Sequence, residues 1–365
     1  MCSISCPRHC ISMRLSTEGF YIPCVNAVEC VQCGLCDAVC PMANRPAVVT
    51  KAPDFSKMVG AWSCDENVRR RSSSGGVVWE IAKALSEKGY ELCGVRYNPS
   101  AIRAEHFIAA TLDQFLPSVG SKYIQSYTAD AFSRFERGRK YFVVGTPCQI
   151  YALRNWIKRF RREDDFILMD FWCHGVPSGH LWRSFLHRCI RNAGGGVRLT
   201  DVRATWRDKK RFGWSQSWCL TVIAKGKKIY ESSVKEGCRF FRFFLSYTMQ
   251  NKVCYSCPFN GYTSGADLRC GDFWGERYRG NLDGVSKLVF LTRRGQSVYQ
   301  GLSHTCHFEE FSAEEMNPMQ ARIPRARGIF IWLLKLENGF VWACRWQWML
   351  GCLSRIKQFA KRGLA

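Results

Sequence analysis

KYFVVGTPCQIYALRNWIKRF, residues 140–160, opens on a short apolar run, Lys140 to Val144. It breaks at Gly145, Thr146 and Pro147, then continues from Gln149 to Phe160 with apolar residues at helical spacing. A buried strand that hands over to a helix through a tight turn is the building unit of a parallel sheet. The succession recurs downstream, with an apolar run at 165–172, a turn over His174 to Gly179 and a basic amphipathic helix from His180 to Asn192. Upstream, Val77 to Lys88 has helical spacing with Gly89 as its stop, and Tyr90 to Tyr97 has strand character. Leu220 to Tyr230 alternates around Lys225, Gly226 and Lys227, which predicts a hairpin, and 286–292 offers a further strand. The Gly194, Gly195, Gly196 run is expected to act as a joint. The predicted fold class is α/β with α+β decoration, built on a mainly parallel sheet.

Cysteines organise the start of the chain. Eight of the 21 fall in the first 40 residues, and CVQCGLCDAVCP places Cys30, Cys33, Cys36 and Cys40 at C-x2-C-x2-C-x3-C-P spacing. Three thiolates so spaced fold around one face of a [4Fe-4S] cubane, while the fourth ligates a neighbouring cluster. Cys2 and Cys6-Pro7 hold the second half of the same motif, so Cys6 would complete the cluster of Cys30, Cys33 and Cys36. Cys40 would join Cys2 and two residues that are absent upstream, which leaves one ferredoxin-like site complete and the other half built. A late start of the chain is the favoured account of that gap; the others are Cys10 and Cys24 as substitutes and a degenerate second site. Scattered cysteines are expected to be inert small hydrophobes. The Cys-rich module is assigned to 1–50, the main domain to 58–305 and a basic aromatic tail to 306–365, with a connector around Lys51 to Lys57.

Cys148 and Cys173 each follow a predicted strand and precede a predicted helix, at the carboxyl edge where parallel sheets bind ligands. The helix starts are expected to lower their pKa values. CYSCP adds Cys254 and Cys257, so four thiolates from three segments would close one further cubane; the alternative is zinc held by Cys254 and Cys257 with Cys270. Ser72, Ser73, Ser74, Gly75 and Gly76 precede the Val77 helix behind Arg69, Arg70 and Arg71, a pattern able to cradle a pyrophosphate. In GSKYIQS, Lys122, Tyr123 and Ser126 are candidates to face the same ligand. His174 is a weak candidate for a catalytic proton shuttle.

Lys plus Arg total 53 against 30 acidic residues, a formal charge of +23. Each bound cubane would remove about two units of it, and the remainder favours an anionic coenzyme, a small anionic substrate or an acidic partner. The basic residues are dispersed and no reader motif appears, so nucleic acid is not an expected partner. The apolar stretch 329–353 is broken by Lys335, Glu337, Arg345 and Gln347, short of the roughly 18 uncharged residues a span requires. With no leader-like opening, the expected location is cytoplasmic. The tail mixes Trp332, Phe340, Trp342, Trp346 and Trp348 with Arg345, Arg355, Lys357, Lys361 and Arg362, a composition that serves either to cover the sheet, the favoured reading, or to make peripheral contact with an anionic membrane surface.

Taken together, SSSGGVVWEIAKAL, GSKYIQS, GTPCQIYALRN, CHGVPSGHLW, CYSCPFN and CGDFWG resemble the beta subunit of coenzyme F420-reducing hydrogenase and its dehydrogenase relatives, from the ferredoxin-like start to about residue 295. The resemblance implies FAD as a cofactor, a flavin role for the Ser72–Gly76 loop and a cluster at Cys148, Cys173, Cys254 and Cys257 near the flavin. It implies an oxidoreductase passing electrons between clusters and a hydride-accepting coenzyme, of F420 type or other, with a ferredoxin or a hydrogenase-like subunit as redox partner. The alternative is a non-catalytic electron-transfer subunit. The truncated first motif and Cys270, which stands where an aliphatic residue is expected, depart from the family pattern.

Overall fold

The computed structural model describes residues 1–49, 58–215, 217–233, 237–259, 261–311 and 327–362. The connector expected at Lys51 to Lys57 lies outside them, and Arg355, Lys357, Lys361 and Arg362 lie beyond the last described side chain.

The quoted stretch forms strand β7 (Lys140–Gly145) and a helix, Pro147–Arg159. Tyr141 and Val143 turn to one face of the sheet against Ile150, Leu153 and Ile157 of that helix, whereas Phe142 turns to the other. β8 (Phe166–Phe171) repeats the alternation, with Phe166 and Leu168 on the first face and Ile167 and Met169 on the second. On that second face lie Val77, Ile81 and Leu85 of the Val77–Ser86 helix. Period-two alternation with apolar residues at every position is what a strand covered on both faces requires.

The remaining strands of this sheet are β3 (Met58–Ser63), β4 (Tyr90–Asn98), β5 (Arg103–Ala109), β6 (Ser126–Tyr127), β12 (Leu268–Asp272), β13 (Ser286–Phe290) and β14 (Cys306–Glu310). Among the described residues they run in the order β14-β3-β13-β12-β8-β7-β4-β5-β6. β4, β7, β8 and β12 are mutually parallel, but β5 pairs antiparallel with β4, and β13, β3 and β14 add antiparallel ladders on the other side. The sheet is therefore mixed, not mainly parallel. Its centre is made by helix crossovers, while the turn at 99–102 is too short for a crossover and forces β5 back along β4. β14 lies in the segment expected as tail and forms the edge next to β3.

The Leu220–Tyr230 hairpin is present as β10 (Leu220–Ala224) and β11 (Lys227–Glu231), with β9 (Val202–Trp206) beside β10. Lys225 and Gly226 both have positive φ, 48° and 76°, as the expected tight turn demands. This small sheet packs on the Gly179–Asn192 and Arg239–Leu245 helices and on Phe330 and Phe340 of the C-terminal helices. The cysteine-rich start contains a hairpin that the sequence did not announce, β1 (Ile11–Leu15) with β2 (Tyr21–Val25). Its tip docks on the main domain: Gly179 N–H donates to Gly19 O at 2.9 Å, and Ser178 Oγ donates to Glu18 O at 2.6 Å. Among the described residues no helix is long and apolar enough to cross a membrane.

Candidate metal centre and its surroundings

Three segments meet beyond the carboxyl ends of β7 and β8. Cys148 is the second residue of the Pro147–Arg159 helix, whose start is fixed by Thr146 N–H donating to Gln149 Oε1 at 3.0 Å. Cys173 lies in the turn after β8, Cys254 lies within the tight turn Lys252–Ser256 and Cys257 ends it. The turns close on each other. Gly175, at φ 88°, sits close against the second turn, since a Cβ there would stand a tight 3.2 Å from Cys254 Cβ.

Each of these thiols is electrostatically coupled to others of the set. Burial pushes Cys148 up, with Cys257 adding to the rise. Burial raises Cys254 to about 12, reinforced by Cys148 and Cys257. Cys173 is driven well above the usual range by burial and then by Cys148, Cys254 and Cys257, and Cys257 is raised by burial. The helix start was expected to lower Cys148. Its N–H groups do act in that direction, but desolvation is larger. Thiols held together this way ionise readily only with a cation among them. Cys173 as a residue keeps contact with solvent, and Cys148, Cys254 and Cys257 are half-buried, while the surrounding protein still desolvates their thiols. Backbone N–H groups already point at them: Gly175 N–H donates to Cys173 Sγ at 3.3 Å, and Val176 and Phe259 donate to Cys254 and Cys257. The donor set fits an iron-sulfur cluster, whose corner thiolates stand farther apart than the ligands of one ion. Among the described residues no three His, Cys, Asp or Glu groups crowd a single-ion position. Cys270, the third ligand of the zinc alternative, is instead buried in the sheet core on β12.

His174 Nδ1 lies 2.8 Å from Tyr247 Oη, and burial lowers its pKa against the opposing pull of Asp272. Asp272 belongs to a group between the thiols and the Ser-rich loop. It accepts from Arg207 Nη1 at 2.5 Å and from Trp214 Nε1 at 2.7 Å, and the Arg207 guanidinium lies 4.9 Å from the Trp218 ring centre and 5.5 Å from that of Trp274. Trp274 stacks on Trp214 at 4.4 Å.

The Ser72–Gly76 loop meets the GSKYIQS segment, where Ser73 Oγ accepts from Ser121 N–H at 2.9 Å. Its other hydroxyls are turned inward: Ser72 Oγ donates to Val68 O, and Ser74 Oγ to Val285 O. Gly75 is small for a packing reason, because a Cβ there would lie 2.3 Å from Ala61 O. Gly76, at φ 86°, starts its helix without a side-chain cap. Lys122 Nζ donates to the carbonyls of Pro117, Ser118 and Val119 at 2.8–3.1 Å, and desolvation lowers it to about 7, so the ammonium is turned into its own loop. Tyr123 packs edge-on to Phe241 and Phe244, and Ser126 Oγ accepts from Gln149 Nε2 at 3.0 Å.

In the N-terminal module Cys6 and Cys10 are buried with their sulfurs 3.3 Å apart, and Cys2, Cys30 and Cys36 pack against them. Burial raises Cys6, but the Cys10 thiol and nearby N–H groups outweigh it and bring the net pKa down. Hydrogen bonding to Cys6 raises Cys10 to about 11. Cys40 follows a short helix, Leu35–Val39, close to Cys2 and the amino terminus. Cys33 is exposed, and Cys24 stands on β2.

Residues 138–315 match the family model for the C terminus of the coenzyme F420 hydrogenase/dehydrogenase beta subunit, and that region contains Cys148, Cys173, Cys254 and Cys257. Over that region the chain resembles the coenzyme F420 hydrogenase/dehydrogenase beta subunits. It is 23% identical over 275 residues to the coenzyme F420 hydrogenase subunit beta of Methanococcus voltae, covering 73% of this chain and 87% of that protein. A chain of the F420-reducing [NiFe] hydrogenase complex from Methanosarcina barkeri, solved with xenon, aligns at 16% identity over 82% of this chain and 91% of that one, with a TM-score of 0.48.

Arg207, Trp214, Trp218 and Tyr247 escaped sequence reasoning. Asp272 and Trp274 stand in the CGDFWG motif, but Arg207 lies 65 residues from Asp272, at a positive φ of 68° that no local pattern betrays.

Proposed function

We propose that this chain is an iron-sulfur flavoprotein oxidoreductase that moves electrons between [4Fe-4S] clusters and a hydride-accepting substrate or coenzyme, of F420 type or other, through FAD. The observation that carries the reading is the approach of Cys148, Cys173, Cys254 and Cys257, from three segments, close enough to act on one another electrostatically. The resemblance to these beta subunits supports a redox electron-transfer role beside a redox partner protein. Bound clusters and flavin supply one-electron and hydride chemistry respectively.

The chain's own residues hold and tune. Cys148, Cys173, Cys254 and Cys257 ligate the inner cluster, and N–H groups of Gly175, Val176 and Phe259 stabilise its sulfurs. Cys6, Cys30, Cys33 and Cys36 ligate a second cluster in the 1–50 module, with Cys2 and Cys40 as half of a third site. The uncapped start at Gly76, together with Ser72, Ser73, Ser74 and Gly75, meets the flavin phosphates through backbone N–H groups, and Tyr123 and Ser126 border the same space. His174, kept neutral and hydrogen-bonded to Tyr247, is the group placed to take a proton. The internal bonding of Lys122, Ser72 and Ser74 favours a second reading, a carrier with clusters and no flavin.

Anaerobic purification with iron, sulfide and flavin quantified separates the readings. Iron with flavin is the expected result, iron alone favours the carrier, and colourless iron-free protein defeats both. Cys148→Ser or Cys254→Ser should remove the iron of one cluster and leave that of the 1–50 module.

A further inference from the structure

The Gly179–Asn192 helix, which begins six residues after Cys173, forms one wall of a groove of about 510 Å³. The opposite wall is the turn between the C-terminal helices Arg327–Leu333 and Gly339–Arg362. Arg183, His187, Arg188, Arg191 and Lys335 line it, with Glu337 as the one acid among the lining residues. Elsewhere on the surface arginines are matched by neighbours, as in Arg70–Glu66, Arg198–Asp201 and Arg279–Glu276. Among the described residues none of Arg183, Arg188, Arg191 or Lys335 is in an ion pair. Four unmatched cations in one concavity repel one another, a cost that a bound polyanion reverses. Leu336, one of the lining residues, is 40% exposed, and arginine beside apolar side chains is a composition that protein interfaces use.

We propose that this groove docks an acidic protein electron carrier, whose carboxylates enter between Arg183, Arg188 and Arg191 while Leu336 offers an apolar contact beside them. The proposal rests on the iron-sulfur reading: the carrier is oxidised by one electron, the centre at Cys173 is reduced by one, and no bond or proton moves. A protein is favoured over an anionic bilayer because the cations line the walls of a cleft, which a flat surface does not enter.

The test compares full-length, anaerobically purified holoprotein with the variant R183E/R188E/R191E, using a reduced acidic ferredoxin as probe. Binding by calorimetry and stopped-flow reduction at low salt are both expected to weaken tenfold or more in the variant. The wild-type rate should fall with added salt and the variant's should not, while iron content and reduction by cationic reduced methyl viologen stay unchanged. Unaltered ferredoxin affinity overturns the proposal, as does a loss confined to binding of phosphatidylserine vesicles. Wild-type protein that binds ferredoxin through the groove yet holds no iron defeats the redox reading and leaves the docking surface standing; iron-loaded protein indifferent to the variant does the reverse.

Discussion

Arg269→Ala should be among the most damaging single substitutions outside the cysteines. Arg269 on β12 and Asp170 at the end of β8 form a bidentate pair with both contacts at 2.7 Å, and their side chains are 1% and 0% exposed. The same guanidinium donates to Gly261 O and Thr263 O and lies 4.9 Å from the Trp172 ring centre. Truncation leaves Asp170 buried with the Ser264 hydroxyl, at 2.6 Å, as its remaining side-chain partner and strands two carbonyls. Removing one member of a buried pair costs about 3–5 kcal/mol, a large part of the roughly 5–15 kcal/mol that holds a domain folded. The exposed pair Arg70–Glu66 is the control, worth about 0.3–0.5 kcal/mol as an i,i+4 contact. Urea titrations followed by tryptophan fluorescence should therefore move the Arg269→Ala midpoint down by on the order of 1 M and leave Arg70→Ala near wild type. Arg269→Lys should fall between, since an ammonium cannot span both carboxylate oxygens. Asp170→Leu with Arg269→Met should recover most of the loss, because the main penalty is the uncompensated charge. Equal midpoints for Arg269→Ala and Arg70→Ala would refute the reasoning.

Glu18 is held down to about 2 from an ordinary 4.5, first by Arg327 and then by Lys252. A depressed carboxyl contributes stability that is present above pH 4.5 and lost as pH falls toward 2, so Glu18→Gln should flatten the acid limb of stability in that window, measured by circular dichroism. Gly175→Ala, at φ 88° and against Cys254, should lower iron content while leaving far-ultraviolet dichroism unchanged; full iron occupancy would show that the turn yields. Gly75→Ala meets Ala61 O and Ser286 N and should lower the melting temperature whether or not flavin is added; destabilisation seen only with flavin would assign that glycine to the ligand.

The parts that were legible in the sequence are those whose physics is local. β7, β8 and the helices after them were visible because period two and period 3.6 are written into neighbouring residues, and the Lys225-Gly226 turn because only certain residues accept positive φ. Cys148 and Cys173 could be placed at one edge because each strand-to-helix turn presents its residue there, whereas Cys254 and Cys257 come from a separate turn whose position no local pattern fixes. The antiparallel flanks were not legible, since strand neighbours are chosen by burial across the whole chain: β3 is paired with β13 and β14, more than 200 residues away.

The Ser72–Gly76 loop marks the limit of such reading. Serine and glycine before a helix serve an anion or serve the chain itself, and the residues alone do not separate these uses. Here β3 and β13 approach so closely that Gly75 must lack a side chain, and Ser74 reaches for Val285 O. Both demands arise only once strands distant in sequence have met. The same contacts fix where Gly76 begins its helix, so a loop consumed by packing can still aim backbone N–H groups outward. Its hydroxyls are thus poor predictors of a ligand, and substitutions that spare the backbone, such as Ser72→Ala, should leave flavin content unchanged if the phosphates are met by main chain.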